Sequence, residues 1–163
     1  MVLKGDSCML NGRKPLFVPE WTDEPVMSPC LVLRVSRLGK EIDVRFADRY
    51  YDAIAPGVDF AAADALRDAQ AKRQSWTKAI AFDYSLALGE WCDKSSRFVW
   101  EGCPQAEWLL TPEQAISEAS RVMTVRQGDL IYIQSQQPPQ GIRREQILRA
   151  TLDGIEKLYC KIK

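Results

Sequence analysis

Asp59, Asp64, Asp68 and Asp83 are the carboxylates whose closeness in sequence suggests a divalent-cation site. A hard cation such as Mg²⁺ needs several charged oxygens to replace its water. It would bring Lewis-acid stabilisation of a developing oxyanion. No ligand pair repeats at a fixed spacing among the four, which favours separate structural duties. Asp64 reads as a helix-start cap, and Asp68 and Asp83 as turn or solvated carboxylates. Trp76, Trp91, Trp100 and Trp108 have the right type to line a ligand pocket, but core or dimer packing is the more frequent fate of tryptophan.

The chain contains no histidine. Imidazole bases, imidazole metal ligands and Ser-His or Cys-His pairs are therefore excluded within it. The five cysteines, Cys8, Cys30, Cys92, Cys103 and Cys160, are widely spaced and include no C-x-x-C. A zinc ribbon or thioredoxin motif is thereby ruled out, and reduced, buried thiols in a cytoplasmic protein are expected. Lys+Arg and Asp+Glu are 22 each over 163 residues, so bulk charge gives no support for nucleic-acid or membrane-surface binding. No apolar run reaches membrane-span length, and the start Met1-Val2-Leu3-Lys4 is too short for a secretory signal.

The elements that must position these residues are mostly strands. Asn11-Gly12 predicts a hairpin turn between 8–10 and 16–18, and the prolines in 19–29 predict a loop. Residues 31–35 read as a strand buried on both faces. Asp43 caps a short helix to about 50. Residues 54–60 form another strand, bent or at an edge because of Pro56 and Gly57. Residues 61–73 are helical in composition. Thr111-Pro112-Glu113-Gln114 predicts a capped helix running to about 122, with Ala115, Ile116 and Ala119 inward. After a turn at 127–129 come a strand from Leu130, a polar loop at 134–140 and two strands around Asp153-Gly154. The expected architecture is α+β and β-rich, with two or three short helices, in one domain spanning 1–163.

Several segments in order resemble the fumarylacetoacetate hydrolase family. Arg37-Leu38-Gly39-Lys40, Phe46-Ala47 and Tyr50-Tyr51-Asp52 resemble its strand end and short helix. Gly57-Val58-Asp59-Phe60 with Asp64 resembles G-x-D-x-T-x-R-D-x-Q. Trp76-Thr77 with Phe82-Asp83 resembles P-W-x-x-x-K-G-F-D. Gly128-Asp129-Leu130-Ile131 resembles G-D-L-I, and 153–161 resembles the closing hairpin. The resemblance implies a mixed β-roll or barrel. It also implies a Mg²⁺ or Mn²⁺ ion on two glutamates of an E-x-E strand and one Asp, acting on keto- or diketo-acids by C–C hydrolysis, decarboxylation or isomerisation.

Carried over position by position, the family's metal Asp is Asp59. The E-x-E glutamates fall at Ser28 and Cys30, and no Glu lies between Glu24 and Glu41. The motif Thr, Arg and Gln fall at Ala61, Ala63 and Leu66, and the Lys and Gly at Ile80 and Ala81. Lys78 lies two residues away from the Lys position, on the same face of a strand but displaced along it. One carboxylate holds Mg²⁺ poorly, and Ile80 cannot neutralise a substrate carboxylate. The expectation is a scaffold without its chemistry: no catalytic residue, no cofactor, and Asp59 as the surviving metal position. Asp59 would then lack its cation and be hydrogen-bonded, solvated or partly protonated. An ammonium at position 80 is expected to destabilise a filled-in apolar site. A homodimer is expected, or a hetero-oligomer with an intact paralogue. The alternative is a metal-dependent enzyme whose site is rearranged or completed by another chain.

Overall fold

The computed structural model describes residues 1–103 and 106–163. In chain order the elements are β1 (Met9–Asn11), β2 (Pro25–Val35), β3 (Tyr51–Ala62), α1 (Ala63–Ala71), α2 (Thr77–Ile80), β4 (Leu86–Leu88), β5 (Val99–Trp100), α3 (Pro112–Val122), β6 (Leu130–Gln134), β7 (Gln140–Gly141), β8 (Ile147–Leu152) and β9 (Ile155–Lys161). Single-turn 3₁₀ segments at Asp6–Cys8 and a longer one at Val44–Tyr50 precede β1 and β3. One sheet runs β1-β4-β3-β2-β6, with β7 also pairing β2; the other runs β5-β8-β9. The β1/β4 pair is parallel and the rest are antiparallel, giving the expected strand-rich α+β class with mixed sheets.

The centre of the molecule is the long β2/β3 ladder, running from Pro25↔Ala62 to Val35↔Tyr51. Its two faces carry different cargo because strand side chains alternate. Leu31, Leu33 and Val35 join Ile54, Ile133 and the α3 residues Ala115 and Ile116 in one cluster. Met27, Val58 and Phe60 pack with Leu148, Leu158 and Ile162 beneath the second sheet. Cys30 and Val32 point the other way, into a small cluster with Leu86 that Met9, Trp91 and Tyr132 flank.

The expected loop at 19–29 ends early, because β2 begins at Pro25 and includes Pro29. The expected bend at Pro56 and Gly57 is instead the middle of a central strand. Both prolines fit for one reason: each lies one step beyond the end of a neighbouring ladder. Pro29 accepts from Ser135 N just past β6, and Pro56 from Gly89 N just past β4. No ladder donor is required of the missing N–H there.

The hairpin expected at Asn11-Gly12 is not formed. Gly12 does turn with φ +73°, but β1 pairs β4, and Leu16 bridges Ile162 in parallel. A dipeptide turn signal specifies the turn, and distant partners decided where its arms went. The helix expected at 61–73 is α1, with Ala62 still in β3. Asp43 caps its 3₁₀ turn by accepting from Arg45 N. The Thr111 capping box on α3 and the turn at Asp153 and Gly154 between β8 and β9 form as the sequence predicts.

Candidate functional site

Asp59 lies on β3 directly opposite Ser28 on β2 and beside Leu86 on β4. Cys30 sits two residues along β2 on the same face, opposite Gly57. Asp59 is 7% exposed and Ser28 6%, so the carboxylate is withdrawn from water. The positions that the resemblance assigns to the glutamate pair thus face Asp59, carrying a hydroxyl and a thiol.

The carboxylate has a cation, supplied by the segment that precedes β1. Lys4 Nζ lies 2.6 Å from Asp59 Oδ1, and the two side chains are 4% and 8% exposed. The same ammonium donates to Ser85 O at 2.9 Å and to Ser85 Oγ at 3.0 Å. It stands 5.9 Å from the centroid of the Tyr132 ring. Gln134, the last residue of β6, reaches across β2 and donates its amide to Asp59 Oδ2. The 3₁₀ turn at Asp6–Cys8, and the bond from Tyr84 N to Ser7 O, set the N-terminal segment against the strand end where Ser85 lies.

Burial pushes the Asp59 carboxyl above its usual range, while Lys4 and the Gln134 bond pull it back toward the ionised form. Burial and the Asp59 charge hold the Cys30 thiol far up, and burial and Asp59 do the same for the Tyr132 phenol. Thiol and phenol therefore stay protonated near neutrality and offer no base or nucleophile.

A divalent ion does not fit these residues. Asp59 is their one carboxylate, and both its oxygens are engaged. An ion placed on Oδ1 would meet the Lys4 ammonium, and neither Ser28 nor Cys30 adds a charged oxygen. Among the described residues no group of three His, Cys, Asp or Glu side chains could hold a metal.

The other candidates are dispersed. Asp64 accepts from Thr22 Oγ1 at 2.6 Å, from Asp23 N at 2.9 Å and from Ala65 N at 2.8 Å, tying the chain before β2 to the start of α1. Asp68 pairs with Lys72 on the surface of α1, and Asp83 is exposed. Lys78 lies over the Trp21 ring, 4.8 Å from its centroid, and the ammonium at Asp59 is that of Lys4. Ile80 is half-buried along an open groove with Met1, Val2, Leu3 and Trp76, so the position is not a filled-in apolar site. Trp100 packs edge-on against Trp108 and donates Nε1 to Gly57 O, while Trp91 stacks with Arg34. Trp76 lies along the groove with Ile80. Lys4 and Gln134 are the site residues that sequence reasoning missed. Lys4 stood in a short apolar start, and Gln134 in a polar run read as loop.

No protein-family model matches this sequence, and no curated protein matches it significantly. Solved structures do match its fold. A fumarylpyruvate hydrolase from Pseudomonas aeruginosa, in complex with Mn²⁺ and pyruvate, superposes with a TM-score of 0.84 at 18% identity, over 98% of this chain and 76% of that one. A 5-carboxymethyl-2-hydroxymuconate delta-isomerase from Mycobacterium smegmatis gives 0.79 at 22% identity, over 99% and 67%. A protein assigned to the fumarylacetoacetate hydrolase family from Yersinia pestis CO92 gives 0.83 at 17%, over 98% and 80%. With these superpositions covering nearly the whole chain, it has the fold of the fumarylacetoacetate hydrolase family.

Proposed function

We propose that this chain is a non-catalytic homologue on the fumarylacetoacetate hydrolase scaffold, serving as a binding or structural subunit. The donor set around Asp59 carries this reading. The neighbour of known activity holds Mn²⁺ and pyruvate, whereas here one carboxylate faces an ammonium, a hydroxyl and a protonated thiol. Such a set neither binds a hard dication nor stabilises an enolate. The test is turnover of oxaloacetate and of acylpyruvates with Mg²⁺ or Mn²⁺, in protein free of host enzymes. The expected rate is the free-metal background. Metal-dependent turnover that Asp59→Asn abolishes would replace this reading with that of an enzyme whose site is rearranged or shared.

Self-association is part of the proposal. Met1, Leu3, Trp76 and Val122 are 74%, 68%, 50% and 65% exposed around one groove, an apolar surface of the kind that pairs. Sedimentation at micromolar concentration should give a dimer, and a monomer alone would count against it. A hetero-oligomer with a metal-competent relative would appear as mixed dimers when the two are co-expressed. No helix among the described residues is long and apolar enough to cross a membrane. All five cysteines are free thiols, which suits the proposed reducing, cytoplasmic setting.

A further inference from the structure

We infer that Lys4 is a resident cation, covalently tethered, that occupies the charge position at Asp59 where the resemblance expects a divalent metal. The inference deepens the non-catalytic reading and rests on it. Three observations carry it. The ammonium is placed by design of its surroundings, with two Ser85 oxygens and Asp59 Oδ1 as partners and almost no exposure. The carboxylate's other oxygen is held by Gln134, so the pair is closed on both sides. The segment that delivers the ammonium is otherwise tied only at its far end: Met1 and Leu3 are mostly exposed, while Tyr84 N donates to Ser7 O and the chain becomes buried at Cys8. Lys4 therefore acts as the pin of the N-terminal segment. It neutralises the one buried carboxylate of the face and makes the fold independent of divalent ions.

Buried ion pairs have a diagnostic energetics. Removing one partner leaves the other uncompensated, whereas removing both is close to neutral. Thermal melts of the full chain read this directly. Lys4→Met and Asp59→Asn should each lower the melting temperature by about 10 °C. Lys4→Met/Asp59→Asn should regain most of that loss, because Asn still accepts from Gln134 and no lone charge remains. The double variant is expected to fold even if a single variant does not. Propylammonium chloride should raise the melting temperature of Lys4→Ala relative to sodium chloride at equal ionic strength, and leave Lys4→Ala/Asp59→Asn unmoved. The parent should not respond to Mn²⁺. Additive losses in the double variant, or no propylammonium effect on folded Lys4→Ala, would overturn the inference alone. A Mn²⁺ stabilisation of the parent that Asp59→Asn removes would overturn both it and the non-catalytic reading.

Discussion

Ile80 shows how a residue's environment decides what its replacement does. Its backbone carbonyl touches the Ser85 hydroxyl, which also receives the Lys4 ammonium, yet its side chain lines an open groove. Ile80→Lys can lay its methylene stem along that apolar wall and keep its ammonium in water. The expected change in stability is within about 1 kcal/mol, with no gain of activity. A melt that drops by more than about 5 °C would show that the side chain is enclosed after all. At this scale the sequence was legible at Asp59, which stands on the motif strand. The resemblance put the glutamate positions at Ser28 and Cys30 without fixing the register of that strand, and the β2/β3 ladder sets both on Asp59's face. Lys4 and Gln134 could not be assigned, because nothing local marks them. Gln134 lies 75 residues from Asp59 and Lys4 lies 81 from Ser85. Only the assembled sheet brings them together.

Among the elements, β3 and α3 allow the sharpest expectations. Gly57 was legible as a motif glycine, but its reason is packing, not a turn. A Cβ there would meet Cys30 Sγ at 2.7 Å, Val32 Cγ2 at 2.8 Å and the Ala87 carbonyl oxygen at 3.2 Å. Two of these atoms belong to buried side chains and the third to backbone, so little can give way. Gly57→Ala should cost about 1–3 kcal/mol by overpacking, seen as a lower denaturation midpoint with unchanged slope. For α3, Thr111 Oγ1 accepts from Gln114 N while Gln114 Oε1 accepts from Thr111 N. Thr111→Ala should cost about 1 kcal/mol by urea denaturation. This helix could be read from sequence because its signals lie within four residues of each other. The start of β2 could not, since prolines in sequence argue for loop, and only the ends of neighbouring ladders show why Pro29 is tolerated.

For the whole molecule the absence of histidine has a consequence in pH. The carboxylates with outside partners titrate low: Asp64 through the Thr22 hydroxyl, Asp52 through Arg34, Glu24 through Arg67 and Glu145 through Lys161. A carboxylate whose folded pKa lies below its unfolded one stabilises the fold above the unfolded value, near pH 4, and loses that contribution as pH falls through the folded value. Asp52, Glu24 and Glu145 are exposed and Asp64 is half-buried, so each contributes little and the acid limb is shallow. Asp59 has the opposite sign. Burial raises it, against the pull of the Lys4 ammonium and the Gln134 amide. The thiols set the alkaline limb. Burial raises Cys30, Cys92 and Cys103, and Cys160 is pushed up to about 11. Their contribution is complete below about pH 8.5 and is lost as unfolded thiols ionise while the folded ones do not. Between the two limbs no imidazole titrates. The melting temperature should therefore hold level from about pH 5 to pH 8 and decline on both sides, more steeply in alkali. Melts at constant ionic strength across that range check this. A shift of more than about 3 °C inside the plateau would reveal a buried group titrating near neutrality, and Asp59 would be the first place to look for it.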